Sequence, residues 1–213
     1  MSGTPHNTKP RRRSFWLKQL HQWHWISSAA CLIGMLLFAI TGITLNHASQ
    51  IEAEPQVISR EATVTPALLN ELLPLTAVAG KAPVPTALRD WLADALQVEV
   101  DANAQAEWSA DEIYLSLPRP GGDAWLAIDT ATGEAQYERT DRGWISYLND
   151  LHKGRNTGGA WSWFIDIFAV ACLVFCITGL LLLKLHAGHR PATWPMVGFG
   201  LVAPVLLAVL FIH

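Results

Sequence analysis

The chain has 213 residues, half of them apolar, with 15 Lys and Arg against 18 Asp and Glu and a net charge of −3. Its apolar residues are concentrated in three long runs, which excludes a fully soluble globular protein. The one basic cluster lies beside such a run, where anionic lipid accounts for it, so no nucleic-acid partner is expected.

The first apolar run, residues 25–45, carries no charge; the second, 161–183, holds only Asp166; the third, 194–212, carries none. Each is close to the roughly 20 residues that a helix needs to cross about 30 Å of hydrocarbon. Segment 48–158, between the first two, holds 8 basic and 17 acidic residues, whereas Lys9, Arg11, Arg12, Arg13 and Lys18 precede the first run and Lys184 and Arg190 follow the second. The positive-inside rule therefore places residues 1–24 and 184–193 in the cytoplasm, with 48–158 and the C-terminus on the periplasmic side of a bacterial inner membrane. The first run is longer than a signal-peptide core and no small-residue cleavage site follows it, so it reads as an uncleaved anchor. The lipid bilayer is the first partner.

Along the chain, Arg13–Trp25 is amphipathic and carries His21 and His24. Ala30 and Gly34 form a small-xxx-small pair, a usual seat for close helix contact and the motive for expecting a homodimer. The 48–158 domain opens with an extended segment (52–63). Thr65-Pro66 then supplies an N-cap and an N1 proline for a short helix with Leu68, Leu69, Leu72 and Leu73. Residues 81–85 read as a Pro-rich linker, followed by a helix presenting Leu88, Trp91, Leu92, Ala95 and Leu96 on one face. Beyond it the period falls to two. Ile113, Leu115 and Leu117 alternate with polar residues, 124–129 returns, and 134–139 is a third strand, a small α+β unit with an antiparallel meander. A last helix, 141–152, ends at Gly154 and leads through a glycine-containing linker into the second span. The expected fold class is thus an α-helical membrane protein: three transmembrane helices with a small α+β domain inserted between the first two.

Phe38-Ala-Ile-Thr-Gly42 in the first span is echoed by Phe175-Cys-Ile-Thr-Gly179 in the second, and Leu20-His21 and Leu151-His152 precede the two spans. With the spans running in opposite directions, this would be an inverted repeat. Thr41 and Thr178 are expected to bond back to their own helices, and Gly42 and Gly179 to permit close approach.

Eight histidines are present and none lies between residues 48 and 151. Six sit at membrane edges: His21, His24, His186 and His189 on the inner side, His47 and His152 on the outer. Imidazole is a good axial ligand for haem iron, and sites in helical bundles are built from facing helices, so these residues are candidates for binding haem b. His47 and His152 match best in depth, with Asn46 and Asp150 as the nearest acceptors for their second ring nitrogens. Interfacial histidines with no ligand role would have the same distribution, alongside the Trp belt. No C-x-x-C-H attachment motif is present, and no Cys or carboxylate joins the histidines at zinc-ligand spacing. His24 and His47 are 23 residues apart, roughly 34 Å of helix, so haems held at those extremes would need rings lying inward from their ligands or a third carrier. Asp166, inside its span, is either a proton site or an interfacial carboxylate with its head in water.

With LHQWHWIS (20–27), FAITGITLNH (38–47), AIDTATGEAQYERT (127–140), ISYLNDLHKGRNTGGAW (145–161) and FCITGLLLLKLHAGHR (175–190), the chain resembles the PepSY-associated transmembrane family over nearly its whole length, in a short three-span form. The resemblance implies that residues 48–158 are a PepSY-like domain with 129–134 as the turn of its strand pair. It also implies a haem-dependent reductase passing electrons to periplasmic ferric iron or a ferric siderophore. His21, His47 and His152 are the positions most similar to the family's recurring membrane-edge histidines. Longer relatives have more spans, so complete haem sites would draw on a second copy. The other functional class is a non-enzymatic module whose outer domain binds a periplasmic peptide or protein. No nucleophile–base–carboxylate set for a hydrolase is visible.

Overall fold

A computed structural model describes residues 9–51, 54–77 and 80–212. Helix α1 (Lys9–Asn46) is followed in the chain by β1 (Gln56–Thr63), α2 (Pro66–Thr76), β2 (Gly80–Pro83), α3 (Thr86–Ala95), β3 (Gln105–Trp108), β4 (Glu112–Ser116), β5 (Gly122–Asp129), β6 (Glu134–Asp141), α4 (Gly143–Lys153), α5 (Gly158–His186) and α6 (Thr193–Phe211). Three helical stretches, Arg13–Asn46, Gly158–His186 and Thr193–Phe211, are long and apolar enough to cross a membrane. The chain is a multi-pass membrane protein. The Arg13–Trp25 stretch continues without a break into the first span: α1 runs for 38 residues.

The chain divides into two compact units. One comprises residues 1–36 and 164–213. Within it His21 faces His186, His24 faces Thr178 and Gly34 faces Phe168, so α1 and α5 pack antiparallel. Gly34 is where the absence of a side chain matters. A Cβ built there would stand 2.3 Å from Phe168 Cε2. The close-contact seat expected to receive a second copy is therefore filled from within the chain. Along α6 no residue is buried, as suits a helix whose surroundings are lipid.

The second unit, residues 37–163, contains a six-stranded antiparallel sheet in the order β1-β6-β5-β4-β3-β2. Three of its strands, β1, β2 and β3, lie beyond the expected three-stranded meander. The extended 52–63 segment supplies β1, paired with β6 along its whole length, and the Pro-rich 81–85 linker contributes to β2, paired with β3. Both are edge strands, where proline and polar side chains are tolerated because one row of backbone groups stays unpaired. The period-two pattern of β4, β5 and β6 drives Ile113, Leu115, Ala124, Leu126, Ile128, Ala135 and Tyr137 to one face, where Leu72 of α2 and Leu88 and Leu92 of α3 cover them. Trp108, fully buried, donates its indole N–H to Ala82 O at 3.2 Å and so anchors the short edge strand β2. Thr65 and Pro66 open α2 as expected, although the Thr65 side chain makes no capping bond.

The β5–β6 turn is built by Asp129. Its Oδ1 accepts from the backbone N–H groups of Ala131 (2.9 Å) and Thr132 (2.7 Å) and from the Thr132 hydroxyl (3.0 Å). Gly133, at φ +74°, closes the turn by donating to Asp129 O at 2.9 Å.

Two tests follow from these contacts. Gly34→Ala would gain about 1 kcal/mol of helix propensity but incur about 1–3 kcal/mol of overpacking against Phe168. The single variant should therefore melt below wild type in detergent, whereas Gly34→Ala combined with Phe168→Leu should recover most of the loss. The hydrogen bonds from Thr132, backbone then side chain, hold the Asp129 carboxyl below its ordinary 3.8. A carboxylate with a depressed folded value stabilises the turn above its unfolded pKa, and that contribution is lost as pH falls through the folded one. The Thr132 amide resonance should titrate with a midpoint below 3.8; a midpoint at or above that value would contradict the turn as described.

Candidate functional site

One local arrangement occurs twice, once in each unit. In the first, His24 of α1 brings Nδ1 to 3.0 Å from Thr178 Oγ1 of α5. The imidazole stacks on Phe175 with ring centroids 4.8 Å apart, and a Cβ on Gly179 would sit 3.2 Å from His24 Cε1. In the second, His152 of α4 brings Nδ1 to 2.7 Å from Thr41 Oγ1 of α1. Its ring lies 4.9 Å from that of Phe38, and a Cβ on Gly42 would sit 3.6 Å from His152 Cε1. The Phe-x-x-Thr-Gly echo in the sequence is therefore a repeated histidine cradle: phenylalanine against the ring, threonine at Nδ1, glycine beside Cε1. The histidine opposite Thr178 is His24, not the His21 that the Leu-His echo paired with His152.

The hydrogen positions follow from the threonines. Thr178 Oγ1 donates its single hydrogen to its own helix, 2.7 Å from Val174 O and 3.0 Å from Phe175 O; Thr41 Oγ1 does the same, 2.9 Å from Leu37 O and 3.2 Å from Phe38 O. Each hydroxyl can then only accept from the imidazole. With the hydroxyl hydrogen so placed, the matching tautomer of His24 and His152 carries its hydrogen on Nδ1 and, in the neutral ring, leaves a lone pair on Nε2. Back-bonding threonine was expected; its second use as the acceptor that fixes a histidine tautomer was not. The signal was present as two Thr-Gly pairs matched to two histidines, but only folding shows which histidine meets which threonine.

Helix α4 is placed by buried polar contacts. Asp150 accepts from Gly121 N at 2.8 Å, with an Arg142 guanidinium nitrogen 4.0 Å away. Gly121, at φ +75°, permits this approach, because a Cβ there would lie 2.8 Å from Tyr147 Cα. Thr44 donates to Asn149 Oδ1 at 2.8 Å, and the Trp161 indole donates to Leu151 O at 2.9 Å. Gly154, in the left-handed region at φ +66°, ends the helix. The acceptor expected for His152 was Asp150; that carboxylate instead fastens the β4–β5 loop, and Thr41 serves the imidazole.

Among the described side chains, the other histidines, His21, His47 and His186, are exposed. His47 Nδ1 lies 2.9 Å from Ile43 O, His21 Nδ1 2.9 Å from Leu17 O and His186 Nδ1 2.9 Å from Leu182 O. His21 and His186 meet across α1 and α5 with ring centroids 5.8 Å apart. His189 follows α5 in a single 3-10 turn, its side chain outside the described set, and Asp166 is exposed on α5. Among the described residues no three His, Cys, Asp or Glu side chains converge as a metal site. The donor chemistry nevertheless fits haem iron: neutral imidazoles with Nδ1–H engaged and Nε2 available are what axial ligation requires.

Three membrane-length helices and an antiparallel sheet backed by two short helices define a multi-pass membrane protein with an α+β domain. The chain belongs to the family described as "Putative PepSY_TM-like", whose model matches residues 15–213. No curated protein and no solved structure matches the chain.

Proposed function

We propose that the protein is a haem b electron-transfer protein of the bacterial inner membrane, with His24 and His152 as iron ligands. The observation that supports this reading is the repeated cradle: two part-buried imidazoles in separate units, each with its Nδ1 proton committed to a threonine. Donating that proton makes Nε2 a better ligand and fixes the ring plane. Bound haem would supply one-electron exchange at iron. The chain's own residues orient the imidazoles, and Phe38, Phe175 and the surrounding apolar helices keep water from them. His47, in the same unit as His152, is the proposed second ligand there; that of His24 would come from a second copy in a homodimer. The proposed acceptor is the class implied by the family resemblance, periplasmic ferric iron or a ferric siderophore.

The test is optical. Purified protein should show reduced b-type bands with dithionite. His24→Ala and His152→Ala should each remove a separate part of the haem. Thr178→Val and Thr41→Val should weaken haem retention by about 10–100-fold, with Thr→Ser restoring it. Featureless spectra from haem-reconstituted wild type would sink the proposal.

A second reading has its own observation. On the sheet face opposite α2 and α3, Glu61, Glu112, Asp129, Glu134 and Gln136 line an open groove of about 630 Å³. A periplasmic peptide or protein bound there would make the chain a membrane-anchored recognition module without redox chemistry. Absence of haem together with partner capture by the isolated membranes would favour it.

The orientation belongs to the same proposal. Basic residues in the N-terminal part of α1 (Lys9, Arg11, Arg12, Arg13, Lys18), Lys184 in the last turn of α5 and Arg190 beyond it, against the acidic 48–158 segment, support a cytoplasmic N-terminus and a periplasmic sheet. Protease added outside spheroplasts should cut within 48–158 and spare Arg11–Arg13; cleavage at the arginines would reverse the assignment.

A further inference from the structure

Outside the two cradles, two exposed imidazoles face each other from different helices. His21 of α1 and His186 of α5 have ring centroids 5.8 Å apart and ring planes at 85°. Each brings Nδ1 to 2.9 Å from the carbonyl oxygen four residues earlier, Leu17 O and Leu182 O respectively. A carbonyl can only accept, so both Nδ1 atoms are protonated. In the neutral rings both Nε2 atoms then carry lone pairs. The backbone carbonyls thus do here what the threonines do for His24 and His152: they fix the tautomer and leave the outer nitrogen to bind something else.

The spacing suits one ion between the rings. With metal–nitrogen bonds of about 2.0–2.1 Å, two imidazoles bound through Nε2 to one ion have centroids about 5–6 Å apart for angles between tetrahedral and somewhat wider. The observed 5.8 Å lies in that range. Imidazole nitrogen favours borderline divalent ions, with Cu2+ the strongest of the first-row series and Ni2+ and Zn2+ below it. Both residues are exposed, so an ion has access from solvent and water completes its coordination. Lys18 and Lys184, close in sequence to the two histidines, oppose a divalent ion, and among the described residues no third His, Cys, Asp or Glu joins the pair. The site is therefore suited to exchangeable binding, unlike the closed four-ligand shell of a structural zinc.

We propose that His21 and His186 form a two-imidazole site for a borderline divalent transition-metal ion that clips α1 to α5. The site uses neither His24 nor His152 and does not depend on the haem reading. An ion held there binds only the folded pairing of the two helices, so it would stabilise that pairing by mass action.

Gln22, exposed on α1 beside His21, provides the control. The experiment is Cu2+ titration of the full-length chain in detergent after removal of metal, read by electron paramagnetic resonance at one equivalent. A tetragonal signal with superhyperfine splitting from two imidazole nitrogens is expected. His21→Ala and His186→Ala should each weaken Cu2+ binding by at least about tenfold, and Gln22→Ala should leave it unchanged. Zn2+ should raise the melting midpoint of wild type and of Gln22→Ala but not of the other two variants. Equal Cu2+ binding in all four proteins would overturn the proposal. So would loss of a b-type haem spectrum in His21→Ala and His186→Ala, which would give this pair to haem instead.

Discussion

The interaction on which the account rests is the hydrogen bond from a histidine Nδ1–H to a threonine hydroxyl already bonded to its own helix. Threonine has one hydrogen, and in a helix surrounded by apolar side chains that hydrogen goes to the carbonyl three or four residues earlier. The oxygen is then an acceptor. An imidazole brought against it can only donate, which leaves the lone pair of the neutral ring on Nε2. Because Thr41 and Thr178 lie in matching Phe-x-x-Thr-Gly segments, the same constraint is imposed twice.

The second cradle is also the place where the sheet and a membrane helix meet within one unit. His152 reaches Thr41 because α4 is held on both sides: Asp150 grips the β4–β5 loop through Gly121 N, and Asn149 meets Thr44. Leaving Gly121 N or the Asp150 carboxylate without a partner would cost about 1–3 kcal/mol or more in a buried setting. The position of the imidazole is therefore coupled to the integrity of the β4–β5 hairpin.

Much of this was legible from residue order. Charge-free runs of membrane length, the alternation at Ile113, Leu115 and Leu117, and the helical spacing of Leu88, Leu92 and Leu96 each identify an element through hydropathy and period. The edge strands were not legible, because β1 and β2 are short, polar or proline-bearing, and become strands only when β6 and β3 offer partners. The site was half legible. Histidines at membrane edges and the repeated Thr-Gly segments stand out in the sequence, and both enter the cradles. Their pairing is long-range, His24 with Thr178 and His152 with Thr41, and no local pattern encodes it. Gly34 shows the reverse case: a small residue read as a seat for another molecule is occupied by Phe168 of the same chain.

The central claim is that His24 and His152 present a free Nε2 because their Nδ1 protons are held by threonine. The most direct measurement is the nitrogen-15 chemical shift of both ring nitrogens in histidine-labelled, metal-free protein at neutral to mildly alkaline pH, assigned with His24→Ala and His152→Ala. The account requires Nδ1 of each to appear as a protonated, pyrrole-type nitrogen and Nε2 as an unprotonated, pyridine-type one, with the pattern disturbed by Thr178→Val and Thr41→Val. Protonated Nε2 with bare Nδ1 at either residue would contradict it.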